Sequence, residues 1–155
     1  MLPLKHYDQQ GRVKPLASFL FCLLYLARGY VVFVISMSYR ADTGLLLGLF
    51  YPQKYDFYAS LLLGIPAILL ALVMIYRDKL WERHYLFAFK WIKPLLLITL
   101  LADFLLHLQQ GYNQGWQFSW ILAATFIVDI SLIYYFIRSR YFSAMIRDWA
   151  IPAAL

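Results

Sequence analysis

Residues 91–108 read WIKPLLLITLLADFLLHL, and whether this segment crosses a membrane decides the architecture. It carries Lys93 at its edge and Asp103 and His107 farther in. Eight Leu, two Ile and one Phe, at up to about −0.5 kcal/mol each on the insertion scale, outweigh roughly +3 kcal/mol for a central aspartate. Read as a span, it is the third of four, with the others at about 16–38, 57–76 and 118–137. Each is close to the roughly 20 helical residues that cross a bilayer core. The expected fold is a single all-α integral membrane domain over residues 1–155, its four transmembrane helices packed as a bundle.

The rest of the composition agrees with a lipid environment. Of the 155 residues, 63% are hydrophobic, which leaves too little polar surface to cover a water-soluble globule of this size. The net charge of +6 is not gathered in a stripe or cluster of the kind that meets nucleic acid, since the basic residues lie between apolar runs. Cys22, the only cysteine, offers neither an intrachain disulfide nor a cysteine metal site, and reads as a small membrane-facing residue. The first apolar run is too long for a signal-peptide core and has no small-residue cleavage site, so it is expected to stay as an anchor.

Local signals refine the spans. Lys14-Pro15 marks the start of the first helix, because proline suits a first turn whose N–H groups are unpaired anyway. Pro66 removes a hydrogen bond inside the second span and predicts a kink there. The loop at 41–56, with Leu45-Leu46-Leu47 and Leu49-Phe50-Tyr51-Pro52, is too short to cross and reads as a short interfacial helix in the first periplasmic loop. The C-terminal segment 139–155 interleaves Arg140, Arg147 and Asp148 with Tyr141, Phe142, Met145, Ile146 and Trp149. That amphipathic pattern suits a helix in the headgroup region, with a tail docked on the bundle as the alternative.

Lys and Arg counts set the orientation, because cytoplasmic loops retain positive residues. Lys5, Arg12, Lys14, Arg77, Lys79, Arg83, Lys90, Lys93, Arg138, Arg140 and Arg147 fall on one side, and only Arg40 and Lys54 on the other. Both termini are therefore expected in the cytoplasm. Trp81, Trp91, Trp116, Trp120, Tyr134 and Tyr135, near span ends, read as interfacial anchors.

The string Tyr7-Asp8-Gln9-Gln10-Gly11-Arg12-Val13-Lys14-Pro15, then Leu26-Ala27-Arg28-Gly29 with Val34-Ile35-Ser36, resembles the YfeZ-like family of small bacterial inner-membrane proteins. Leu49-Phe50-Tyr51-Pro52 and Gly64-Ile65-Pro66-Ala67 are similar as well, so the likeness covers about the first 70 residues. The resemblance implies a multi-pass protein of the bacterial inner membrane, and carries over no catalytic or binding residues.

Arg28, Asp103 and Asp129 are the residues that chemistry singles out, because ionisable groups at membrane depth are costly and face a bundle interior or a wet cavity. At about 1.5 Å per residue, all three lie roughly 12–18 Å from the cytoplasmic ends of their spans. Arginine keeps its proton, so a bidentate contact from Arg28 to Asp129 or Asp103 is expected. Tyr25 and Ser36 share the Arg28 face, Thr99 and His107 flank Asp103 by one turn, and Thr125 precedes Asp129 by one turn, which makes a buried polar network available. His107 reads as a hydrogen-bonding histidine, since His6 and His84 lie too far away to complete a metal or haem site. No cofactor or metal is implied. The sequence contains no nucleophile elbow, phosphate loop or metal-spaced carboxylate set, so an enzyme is not expected.

Three functions remain. The first is a structural or accessory subunit, its partners the lipid bilayer and other membrane-protein subunits or further copies of itself. The second is a small proton- or ion-linked transporter using Arg28, Asp103 and Asp129. The third is a protein that contacts anionic lipids through the basic loop 77–93 and the C-terminal segment.

Overall fold

A computed structural model describes residues 13–38, 48, 51, 53–113, 115 and 119–151. The described residues are helical without a strand. In chain order the helices are α1 (Ala17–Leu26), α2 (Arg28–Ser38), α3 (Lys54–Ile75), α4 (Arg77–Glu82), α5 (Phe87–Asn113), α6 (Trp120–Arg138) and α7 (Arg140–Trp149). Helices α3, α5 and α6 are each long and apolar enough to cross a membrane, and the pair α1 and α2 makes a fourth crossing if it is a single span. Most of the expected interfacial helix at 41–56 lies outside the described residues, but its end is corrected, since Asp56 belongs to the first turn of α3.

The first span departs from a straight helix. Helices α1 and α2 meet at Ala27 with a bend of 61°. Beside the break, α2 lies against a neighbour. A Cβ on Gly29 would lie 2.7 Å from Ser60 Oγ and 3.4 Å from the Ser60 carbonyl carbon, and one on Gly64 would lie 2.6 Å from the Tyr30 ring. Only glycines let α2 and α3 approach this closely, the small-residue contact by which helices associate in lipid. Helix α3 continues through Pro66 as one helix.

Helix α5 is the axis of the assembly, packing against α1, α3, α6 and α7. Its buried residues Phe89, Ile92, Leu96, Thr99, Leu100, Asp103, His107 and Gln110 recur every three or four positions along one face. Gln109, Gln110 and Asn113 do not end it, because polarity alone stops no helix, and it runs about 40 Å at 1.5 Å per residue. The inner face of α3 is small and polar, consisting of Asp56, Ser60, Gly64, Ala67 and Leu70, while Tyr58, Leu62, Ile65 and Leu69 point outward. Large apolar groups outside and small or polar groups inside is the arrangement that lipid, not water, supports.

The interior is graded along the bundle. At the end that holds Val13 and α7, the core is apolar and aromatic: Phe19 packs on Phe136 and Phe142, and Trp149 packs edge-on against Phe89 and Trp81. Cys22 is fully buried in this core, so it is not the membrane-facing residue expected. Helix α7 is docked on the bundle: Phe142, Met145, Ile146 and Trp149 turn inward, and Ser139 caps its start by accepting from Phe142 N at 3.2 Å. Trp149 Nε1 donates to Val13 O at 2.9 Å and Val13 N donates to Asp148 Oδ2 at 2.9 Å, which ties the two ends of the described chain together. Trp81, expected as an interfacial anchor, is half-buried and donates to Trp149 O at 3.0 Å. Trp91, Trp120 and Tyr134 are exposed, and Trp116 lies outside the described residues.

Candidate functional site

Three helices bring one charged residue or more to the same depth. Arg28 stands just after the break, at the first position of α2, and the 61° turn aims it at α5. There its two terminal nitrogens take both oxygens of Asp103, Nη1 to Oδ2 at 2.8 Å and Nη2 to Oδ1 at 3.0 Å. This parallel pair is the strongest geometry a guanidinium and a carboxylate can form. Nη1 also donates to Tyr25 O at 3.3 Å, satisfying a carbonyl beside the break, and the guanidinium lies 4.6 Å from the centre of the Tyr25 ring.

His107, one turn along α5 from Asp103, extends the chain to α6. Arg28 Nη2 lies 2.9 Å from His107 Nε2, and His107 Nδ1 lies 2.7 Å from Asp129 Oδ2. A guanidinium only donates, so Nε2 must accept, the ring proton belongs on Nδ1, and the neutral imidazole donates to Asp129. The result is a linear relay from Arg28 through His107 to Asp129, with Asp103 bound to Arg28 at its start. Asp103, His107 and Asp129 are all buried, and Arg28 retains 17% exposure of its side chain.

Of the two aspartates that sequence offered as partners, the bidentate one is Asp103, while Asp129 is reached through His107. The other polar residues divide. Tyr25 Oη donates to Thr125 O at 3.3 Å and so joins α1 to α6. Thr99 and Thr125 turn back to their own helices, donating to Leu95 O at 2.8 Å and Leu122 O at 2.9 Å, so their hydroxyls are not links in the relay. Ser36 Oγ and Asp129 Oδ1 are buried with no hydrogen-bond partner among the described residues.

Two features escaped the sequence reading. Asp56 is buried in the first turn of α3, on the same face as Ser60, which pairs with Tyr51 Oη at 2.8 Å. The four-residue spacing of Asp56, Ser60 and Gly64 was the available signal, but it crosses the boundary drawn at 57. The second is that Asp103, His107 and Asp129 offer ligand atoms within 4.8 Å of one another, a spacing a cation could use. In this arrangement the Arg28 guanidinium already holds both Asp103 oxygens and approaches His107 Nε2.

The profile of a family described as a protein of unknown function (DUF2919) matches residues 2–148. The inner membrane protein YfeZ of Escherichia coli (strain K12) is 33% identical over 137 residues, which is 87% of this chain and 87% of that protein. No solved structure matches. With nearly its whole length matched, carrying the bent first helix pair and all four relay residues, the chain belongs to the DUF2919 family.

Proposed function

We propose that the protein is a four-span protein of the bacterial inner membrane that serves as a non-catalytic structural or accessory subunit of a larger membrane assembly. The location is supported by the name of its relative and by the run of apolar helices. The span count is supported by the contact of Val13 with Trp149 and Asp148. Three crossings by α3, α5 and α6 alone would leave these ends on opposite sides, which favours α1 and α2 together as a fourth. Nine of the basic residues, Lys14, Arg77, Lys79, Arg83, Lys90, Lys93, Arg138, Arg140 and Arg147, belong to this end, which favours placing it in the cytoplasm.

The observation that carries the structural role is the Arg28–Asp103 pair at 2.8 and 3.0 Å. It joins α2 to α5 wholly within the chain and needs no substrate to complete it. An internal ion pair of this kind fixes helix register, leaving the exposed apolar faces of α3 and α6 for lipid or for other subunits. Extraction in mild detergent followed by co-purification tests the reading. A reproducible membrane-protein partner is expected, and an isolated monomer under every gentle condition overturns it.

A second reading, a small proton- or ion-linked carrier, is favoured by the unpartnered Asp129 Oδ1. With both aspartates ionised the relay holds one negative charge more than Arg28 neutralises, so a proton or cation arriving at Asp129 would balance it. Reconstitution separates the readings: flux in proteoliposomes that is abolished by Asp129→Asn supports the carrier, whereas no flux, or flux indifferent to Asp129→Asn and Asp103→Asn, leaves the subunit reading.

A further inference from the structure

A groove of about 800 Å³ lies where the start of α5 meets α7, lined by Lys90, Lys93, Pro94 and Leu97 from one helix and by Ser143, Ile146 and Arg147 from the other. Its two halves differ in chemistry. Lys90, Lys93 and Arg147 place three cations around its upper rim. From Leu95 to Leu101, α5 carries no charge, and within the groove Leu97 and Ile146 continue the wall as hydrocarbon. None of the three cations has a carboxylate within ion-pair distance among the described residues. Lys93 Nζ donates to Ser143 Oγ at 2.9 Å, which fixes the ammonium across the groove, one of its three donors so used among the described residues. Pro94, having no N–H, cannot close the usual helical hydrogen bond to the Lys90 carbonyl one turn earlier.

We infer that this groove binds an anionic glycerophospholipid of the cytoplasmic leaflet, its phosphate among Lys90, Lys93 and Arg147 and an acyl chain along Leu97 and Ile146. The transition from cations to hydrocarbon within a single groove matches the transition from headgroup to chain in one lipid molecule, and basic sites between helices on the cytoplasmic side suit anionic headgroups. General attraction of the basic end to an anionic surface differs from this, because it involves Lys79 and Arg83 equally and requires no groove.

Native mass spectrometry of the full chain, extracted and then exposed to mixed micelles of phosphatidylglycerol and phosphatidylcholine, tests the assignment. The wild-type chain is expected to retain one phosphatidylglycerol at least tenfold in preference to phosphatidylcholine. Lys90→Gln/Lys93→Gln/Arg147→Gln is expected to abolish the preference, and Lys79→Gln/Arg83→Gln to preserve it. Leu97→Trp, which fills the apolar half and leaves every charge in place, is expected to lower retention of both lipids and serves if the triple variant does not fold. Equal retention of the two lipids by the wild type overturns the proposal, as does an equal loss with Lys79→Gln/Arg83→Gln. Inorganic phosphate that displaces the lipid at millimolar concentration would make the site one for a free anion, and would also overturn it. A triple variant that keeps its lipid and loses a co-purifying protein would give the groove to an acidic partner instead.

Discussion

At the scale of single residues, the relay shows how a membrane protein tolerates charge. A guanidinium at this depth has no water to compensate it, and Asp103 does so with two short bonds. Removing one member of such a pair strands the other. Asp103→Asn is therefore expected to lower stability by about 3–5 kcal/mol, measured by reversible unfolding in mixed micelles, while Arg28→Met/Asp103→Leu recovers most of the loss because no charge is left unpaired. A double variant as unstable as the sum of the single ones would show that the two residues act independently. Asp129 behaves differently. Asn at 129 still offers an oxygen to His107 Nδ1–H and replaces the unpartnered Oδ1 with an amide nitrogen, so Asp129→Asn is expected to change stability by less than about 1 kcal/mol, against about 1–3 for Asp129→Leu, which removes the acceptor. Arg28, Asp103 and Asp129 were legible in the sequence because each interrupts an apolar run. That His107 bridges two of them was not, because its two bonds go to residues 79 and 22 positions away, and no helical period encodes that.

At the scale of elements, what the sequence conveyed was period and what it withheld was contact. The long apolar runs announced α3, α5 and α6, since 18 or more apolar residues serve little else. The break at Ala27 was hidden, because Leu26-Ala27-Arg28-Gly29 contains no proline and its glycine becomes decisive only against Ser60. Gly29→Val is thus expected to cost about 1–3 kcal/mol, since its Cβ meets a hydroxyl at 2.7 Å with backbone 3.4 Å away, and Gly29→Val/Ser60→Ala to recover part of it. Equal tolerance of Gly29→Val with and without Ser60 would remove the glycine contact as the source of that cost. The α4–α5 turn offers the opposite case. His84 has φ of +56°, with His84 N donating to Trp81 O at 3.1 Å and Tyr85 N to Leu80 O at 3.0 Å, the paired bonds of a helix end that prefers glycine. His84→Gly is expected to raise stability by about 0.5–1 kcal/mol in the same unfolding measurement, the relief of a left-handed side chain less the added freedom of the unfolded chain.

At the scale of the whole molecule, one hydrogen-bonded knot supports the proposed four-crossing topology. Val13, Asp148 and Trp149 meet through two bonds of 2.9 Å, and Trp81 closes the knot from α4, between α3 and α5. On the proposed topology, segments so joined share one face of the membrane. The far end of α5, at Asn113, is about 40 Å along the helix from its start near Trp81, farther than the roughly 30 Å hydrocarbon core, and on the proposed topology emerges on the other face. Single cysteines placed in a Cys22→Ala background convert this into a measurement, since Cys22 is the only native thiol. With a membrane-impermeant maleimide, Lys14→Cys, Lys79→Cys and Arg140→Cys are expected to react together and only in inverted vesicles, and Asn113→Cys only in intact spheroplasts. The first three reacting together in spheroplasts instead would keep the four crossings and reverse the orientation. Lys14→Cys and Arg140→Cys reacting from opposite faces would make the number of crossings odd, and α1 with α2 would then enter and leave on one side. That outcome would also separate Val13 from Trp149 and remove the packing that buries Trp149, so the labelling pattern and the aromatic core stand or fall together.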